Sequence, residues 1–424
     1  MTCEARNREP QAPLPPQLPF LFMPKPAAKL SGDSPAIDQC VRVFRSHLHL
    51  PDCSAVFAAL GAVCANYLTG DPVWLMLVGA PSTGKTVIVK ACSRLPDCRE
   101  ASDSHNSSAF LTWDSQRGLG GLLSPPRVEH GEQTGGIGDF GIIVYPEFSS
   151  VLSLPPDARI YINSVHRKIY DGQWKREFGS GGGRTLTWEG KAGALGAVTP
   201  AIDRHSMSSE LGERWLYFRF PEPDLISQAN SALNQHSEDP ADRNNALTAS
   251  ILDTFTASKI ERGLVQRKLN ESERTRMARV VAAACTLRGS VARDHHHRDI
   301  IDLPQREGAG RILSALTSIY LALELLGLRN AWCWKIVRKI ALDCAPGLRT
   351  QFVRCAMKLQ MAGIEITSRN VYPMLPLSSG VLSRVLEDVR LLGILTHDGG
   401  GDENGGWRMN AGIWKVMREL EEDQ

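Results

Sequence analysis

Four short and almost uninterrupted apolar runs punctuate the first half of the chain: Val73 to Gly79 (VWLMLVG), Phe140 to Tyr145 (FGIIVY), Ala192 to Val198 (AGALGAV) and Trp215 to Phe220 (WLYFRF). Runs of this length without polar alternation suit strands buried on both faces, and they predict a largely parallel sheet. Helical or Gly-rich segments separate them, which is the order of an α/β domain. Ahead of the first run, Ile37, Val41, Val43 and Phe44, then Val56, Phe57, Leu60 and Val63, recur at helical spacing and predict two helices between Ala36 and Tyr67.

Beyond Phe220 the pattern changes. Residues 222 to 246 are polar and turn-rich and mark a domain edge. From Leu247 to Cys344 the periodicity is helical, strongest in ARVVAAACTL and ILSALTSIYLALELL, and predicts a unit the size of a helical lid. Leu348 to Met361, Thr367 to Met374 and Ser378 to Leu392 read as three helices. They precede a Gly-rich turn between ILTHD and GWRMN, and this order predicts a winged helix-turn-helix. The expected division is a disordered Pro-rich tail over 1–35, a core over 36–222, a helical lid over 223–345 and the winged module over 346–424.

Composition narrows the classes of function. The 424 residues are 42% hydrophobic and 22% charged, with no stretch near the ~20 apolar residues that a membrane span needs. The N-terminus lacks a basic head, an apolar core and a small-residue cleavage site, so a secretory signal is not expected. Ten cysteines without a CxxC pair predict reduced thiols in a cytoplasmic protein. A net charge of +2 confines any nucleic-acid binding to local basic clusters. His295-His296-His297 reads as a solvated loop and not as a metal site. Trp113, Trp188 and Trp407 read as packing residues and not as base-stacking platforms.

The first apolar run feeds directly into Gly79-Ala80-Pro81-Ser82-Thr83-Gly84-Lys85-Thr86, followed by Val87 and a helical pattern. Small residues let successive backbone N–H groups face phosphates while the following helix offers its positive end. Lys85 then reaches the β/γ-phosphates and Thr86 supplies a hydroxyl to Mg²⁺, so the expected ligands are ATP and Mg²⁺. The metal-side acid belongs at the end of a neighbouring buried strand. Glu147 meets that requirement, with Asp139 as the alternative; Phe148 stands where a second acid would complete an Asp-Glu pair. Thr199, at the end of the third run, is placed to orient an attacking water. Arg214, just before the fourth, is placed to reach the nucleotide of an adjacent subunit.

Taken together, these parts and their order resemble the AAA+ ATPases. Between the acid and sensor runs lie Trp174-Lys175-Arg176-Glu177-Phe178, a Gly-rich tip at 179–183, and Arg184-Thr185-Leu186-Thr187-Trp188. This hairpin resembles the pre-sensor hairpin of the clade containing MCM and superfamily 3 replicative helicases. The stretches TGDPVWLMLVGAPSTGKT, KIYDGQWKREFGSGGGRTLTWEGK and LGERW are similar to those of ATPases carried by phages and integrated elements. The resemblance covers about residues 40 to 222 and implies an AAA+ fold, a helicase-like or DNA-remodelling ATPase of a mobile element, and a hexameric ring. It implies Lys175, Arg176, Arg184 and Lys191 as DNA-facing residues. It also implies a lid arginine on the γ-phosphate, Arg311, with Arg306, Arg274, Arg276 and Arg279 as alternatives. In the winged module Ser378, Ser379, Ser383 and Arg384 would face DNA, with Arg369 near phosphate and Arg408 on the wing. An ATP-gated DNA-binding regulator with slow hydrolysis is the alternative function.

Overall fold

The computed structural model describes residues 34–50, 52–101, 107–114, 118–129, 132–178, 183–204, 214–221, 224–234, 239–294, 299–397 and 407–422. Residues 1–33 of the expected tail, the hairpin tip at 179–182, the histidines 295–297 and the acidic wing tip at 398–406 lie outside the described residues, while Ser34 and Pro35, read as the end of the tail, cap and begin the helix Pro35–His47.

The apolar runs become strands of one five-stranded sheet. Its members are β1 (Trp74–Val78), β2 (Cys98–Glu100), β3 (Phe140–Tyr145), β4 (Lys191–Val198) and β5 (Trp215–Arg219), in the spatial order β5-β1-β4-β3-β2. All neighbours are parallel. β1 and β3 are buried along their whole length, which is why neither alternates with polar residues. Because every strand runs the same way, one end of the sheet gathers all strand ends and the other all strand starts. This polarity decides where each side chain can act.

Helix Ser54–Tyr67 is buried at every position and lies against the sheet. Asn66 on this helix explains Gly193 in mid-strand. Its side chain donates to Ala62 O and Val73 O and accepts from Val73 N, bridging the helix to the entry of β1. A Cβ on Gly193 would sit 2.4 Å from Asn66 Cγ, so the carboxamide occupies the space a larger residue would need.

The region read as a lid is a set of helices packed on the core. Helix Ala309–Leu325 lies along Ser54–Tyr67, where Gly61 leaves room for Leu323. Helix Asn330–Asp343 covers edge strand β5. The C-terminal module contains helices Gly347–Met361, Ser368–Val371 and Ser379–Leu391, and the antiparallel pair Leu395–His397 with Trp407–Met409. The second helix is a single turn, capped by Thr367 through Asn370 N. A last helix, Ala411–Glu422, turns back onto Glu271–Arg288, and its Glu419 meets Arg338 at 3.0 Å and Arg279 at 3.4 Å.

The nine cysteines among the described residues are free. No described helix is long and apolar enough to cross a membrane, and no metal-holding cluster of His, Cys, Asp or Glu occurs among the described residues.

Candidate nucleotide site

β1 delivers the chain into the loop 79–84, and helix Lys85–Ser93 leaves it. The loop sits where the sheet's strands end: Gly79 N donates to Val198 O at 3.1 Å and Phe220 N to Val78 O at 2.8 Å. Two left-handed residues turn it, Ser82 at φ 64° and Gly84 at φ 84°. Glycine adopts that region without the steric cost any side chain brings. Thr83 Oγ1 and Lys85 Nζ each donate to Ala80 O at 2.9 Å, and the Gln228 side-chain amide donates to Ser82 O. Strand, left-handed turns and helix N-terminus together form a cradle of backbone N–H groups that fits a phosphate chain.

Lys85 is only 5% exposed, and burial lowers its pKa while the facing Glu147 carboxylate opposes the shift. A cation so placed, bonded to a neutral carbonyl, gains when anionic oxygens replace that carbonyl. Glu147 follows β3 and is exposed, held because Phe148 N donates to Ala197 O at 2.8 Å and Ser149 N to Glu147 Oε1 at 3.1 Å. Phe148 is buried among Tyr145, His166 and Trp215, and it carries the packing that fixes the loop bearing Glu147. Asp139 is at the opposite end. It precedes β3 and pairs with Arg262 at 2.8 Å, so it does not serve as the metal-side acid of this loop.

Thr199 is half-buried between β4 and the 3₁₀ turn Pro200–Arg204, and its carbonyl accepts from Ile202 N at 3.2 Å. That turn presents Asp203 to Arg219, a residue that the sequence reading passed over. The signal was present as the lone charge in WLYFRF, where an arginine interrupts a buried strand. Gln228 gave no comparable signal.

The remaining arginines go elsewhere. Arg214 precedes β5, at the end of the sheet away from the phosphate loop. Its guanidinium donates to both oxygens of Asp171 at 2.9 and 2.8 Å and lies 5.4 Å from the Tyr170 ring. Arg311 lines a cavity with Asp71, Pro72 and Lys191 at that same end, so within this chain it does not meet the phosphate loop. Of its alternatives, Arg306 donates to Leu392 O, while Arg276 and Arg279 reach Glu419. Arg274 is exposed on helix Glu271–Arg288. These helices pack on Ser54–Tyr67 and on the C-terminal helix, which carries their arginines away from the loop.

The hairpin forms from Gln173–Phe178 and Arg184–Glu189, with Trp174 opposite Trp188 and Lys175 opposite Thr187. Period-two alternation sorts its charges. Arg176 bonds Leu111 O and Ser108 Oγ, and Arg184 lies 4.5 Å from the Trp113 ring, so both lean on the segment 107–114. Lys175 is exposed beside Glu177. Lys191, beyond the hairpin, lines the cavity at the strand starts. Trp188 Nε1 donates to Gly138 O at 2.6 Å, and Arg390 stacks on Trp407 at 4.0 Å. In the C-terminal module Ser378, Ser379, Ser383, Arg369 and Arg408 are exposed, while Arg384 donates to Gly380 O on its own helix. Arg293 grips Glu387 and Asp388 and ties the third helix to the preceding region.

These features define an α/β protein whose five-stranded parallel sheet carries a phosphate-loop shape at its strand ends. No family model matches the chain, and no curated protein matches it. Solved structures are similar to it at low level, two of them as follows. A candidate ATPase from Cytophaga hutchinsonii shares 10% identity over 84% of this chain and 94% of its own, with a TM-score of 0.39. The apo C-terminal region of NrS-1 shares 10% identity over 63% of this chain and 58% of its own, with a TM-score of 0.26. Likeness at this level adds nothing to what the geometry carries.

Proposed function

We propose that the chain binds Mg-ATP in the loop 79–86 and hydrolyses it, and that turnover is linked to DNA. The observation that carries this reading is the left-handed loop itself, with Lys85 at the head of the following helix turned back onto Ala80 O and Glu147, beyond the end of β3, near enough to act on the Lys85 charge. Lys85 exchanges the Ala80 carbonyl for phosphate oxygens, and Thr86, on the first turn of the helix, offers its hydroxyl to the metal side. Thr86 and Glu147 would hold Mg²⁺, which when bound would neutralise the negative charge that develops on the phosphates. Glu147 keeps Oε2 for that side of the site, since Ser149 N takes Oε1. Thr199 stands at the neighbouring strand end to orient water, and Gln228 brings the helix Leu225–Asn234 to the loop.

On the DNA side, Lys175 on the hairpin and the exposed Ser378, Ser379, Ser383, Arg369 and Arg408 of the winged module are the groups in reach of a phosphate backbone. Arg214 acts on a neighbour's nucleotide only if ring assembly releases it from Asp171. The test is ATP turnover with and without single-stranded DNA, together with native mass measurement in a non-hydrolysable ATP analogue. Stimulation by DNA that is lost in Lys175→Ala, and a nucleotide-dependent hexamer, support a motor; absence of both overturns it.

One observation favours a second reading, an ATP-gated DNA-binding regulator. Phe148, at 1% exposure, fills the place of a second acid and cannot take a proton, which suits slow hydrolysis. Under this reading, nucleotide changes DNA affinity without DNA accelerating turnover.

A further inference from the structure

At the strand starts, away from the phosphate loop, the chain encloses a second polar site. A cavity of about 400 Å³, open to solvent, is lined by Gly70, Asp71, Pro72, Tyr170, Asp171, Gly172, Gly190, Lys191 and Arg311. Its volume falls in the range of small-molecule sites. Asp71 and Lys191 stand at the entries of β1 and β4, and strands of five to eight residues separate them from the loop by ~20 Å. The two sites are distinct.

Both Asp171 oxygens are engaged by Arg214, and Asp71 Oδ2 accepts from Ser314 Oγ at 3.0 Å. The Lys191 ammonium makes one hydrogen bond among the described residues, to the neutral Leu68 carbonyl at 2.6 Å, and no ion pair within 4 Å. An ammonium drawn largely out of water and given a single neutral partner is costly, and an anion between it and Arg311 would offset that cost. Burial accordingly pushes the Lys191 pKa down to about 8, with Asp71 opposing. Tyr170, Gly70, Gly172 and Gly190 complete the wall.

We infer that this cavity is a binding site for the phosphoryl group of a small phosphorylated molecule, held between Lys191 and Arg311, with Asp71 left to accept from a hydroxyl on the same ligand. A cavity of this size with a carboxylate in its wall favours a small ligand over a polynucleotide backbone. The site uses two residues that sequence resemblance had assigned to DNA and to the nucleotide.

Acylation of the full chain by a small amine-directed reagent at pH 8, read by peptide mass spectrometry, reports on Lys191 directly. A Lys85→Ala background keeps the phosphate loop from contributing. Inorganic pyrophosphate or AMP is expected to slow Lys191 labelling at least five-fold, and Arg311→Met to remove the protection. No labelling of Lys191, no protection by either probe, or protection unchanged in Arg311→Met would overturn the assignment. So would protection by a short single-stranded oligonucleotide alone.

Discussion

Arg219 closes on both carboxylate oxygens of Asp203 at 2.8 Å, and the Oδ2 of that carboxylate also accepts from Gly347 N at 3.3 Å. The turn following Thr199, edge strand β5 and the first helix of the C-terminal module therefore meet at one side chain. Arg219 also donates to Asp343 O and Ala345 O, while its own N–H goes to Asp343 Oδ2. Asp203→Ala leaves a largely buried guanidinium short of its main partner. The expected loss is about 2 kcal/mol of unfolding free energy, with a smaller loss for Asp203→Asn. Denaturant titration of the three proteins checks the order.

The site reading makes separate claims for Lys85 and Glu147. Lys85→Ala removes the phosphate-facing cation, so ATP binding weakens and turnover falls about 100-fold or more. Glu147→Gln keeps the size and the bond from Ser149 N but loses the charge, so ATP still binds while turnover falls about 100-fold. Paired binding and steady-state measurements separate the two. Equal loss of binding in both variants would leave Glu147 without its proposed role.

Gly193 and Asn66 give a purely structural prediction. With Asn66 Cγ 2.4 Å from where a Cβ would stand, Gly193→Ala must push the carboxamide off Val73 or shift β4. Overpacking of this kind costs about 1–3 kcal/mol. Asn66→Ala in the same protein relieves the clash, so the double variant should be more stable than the sum of the two single losses, as a double-mutant cycle would show.

His166 is fully buried among Trp74, Phe110, Tyr145 and Phe148, with Nε2 3.0 Å from the Tyr145 hydroxyl, and burial lowers its pKa from 6.5 to about 4. Between those values the unfolded chain binds the proton and the folded chain does not. Stability therefore rises with pH from about 4 to 6.5 and is lost as pH falls through that window. The contribution is roughly 3 kcal/mol across the window. His166→Phe should flatten that part of the profile relative to wild type, measured as the difference in denaturant midpoint between the two proteins.

The sequence alone determined what is local or periodic. Unbroken apolar runs named four strands of the sheet, because a strand buried on both faces cannot carry polar alternation. Gly84 and Lys85 marked the loop 79–86, because its left-handed turn and the lysine at the head of the following helix are set within a few residues. What the sequence could not assign was the end of the sheet on which a distant side chain acts. Arg214, Lys191 and Arg311 each stand at a plausible distance from a motif along the chain. In a parallel sheet, however, strand starts and strand ends lie a full strand length apart, and helix packing alone decides to which end a later residue returns. The fold therefore gathered Lys191 and Arg311 around a cavity opposite the phosphate loop, and brought Arg219, Asp203 and Gln228 to the loop's side instead.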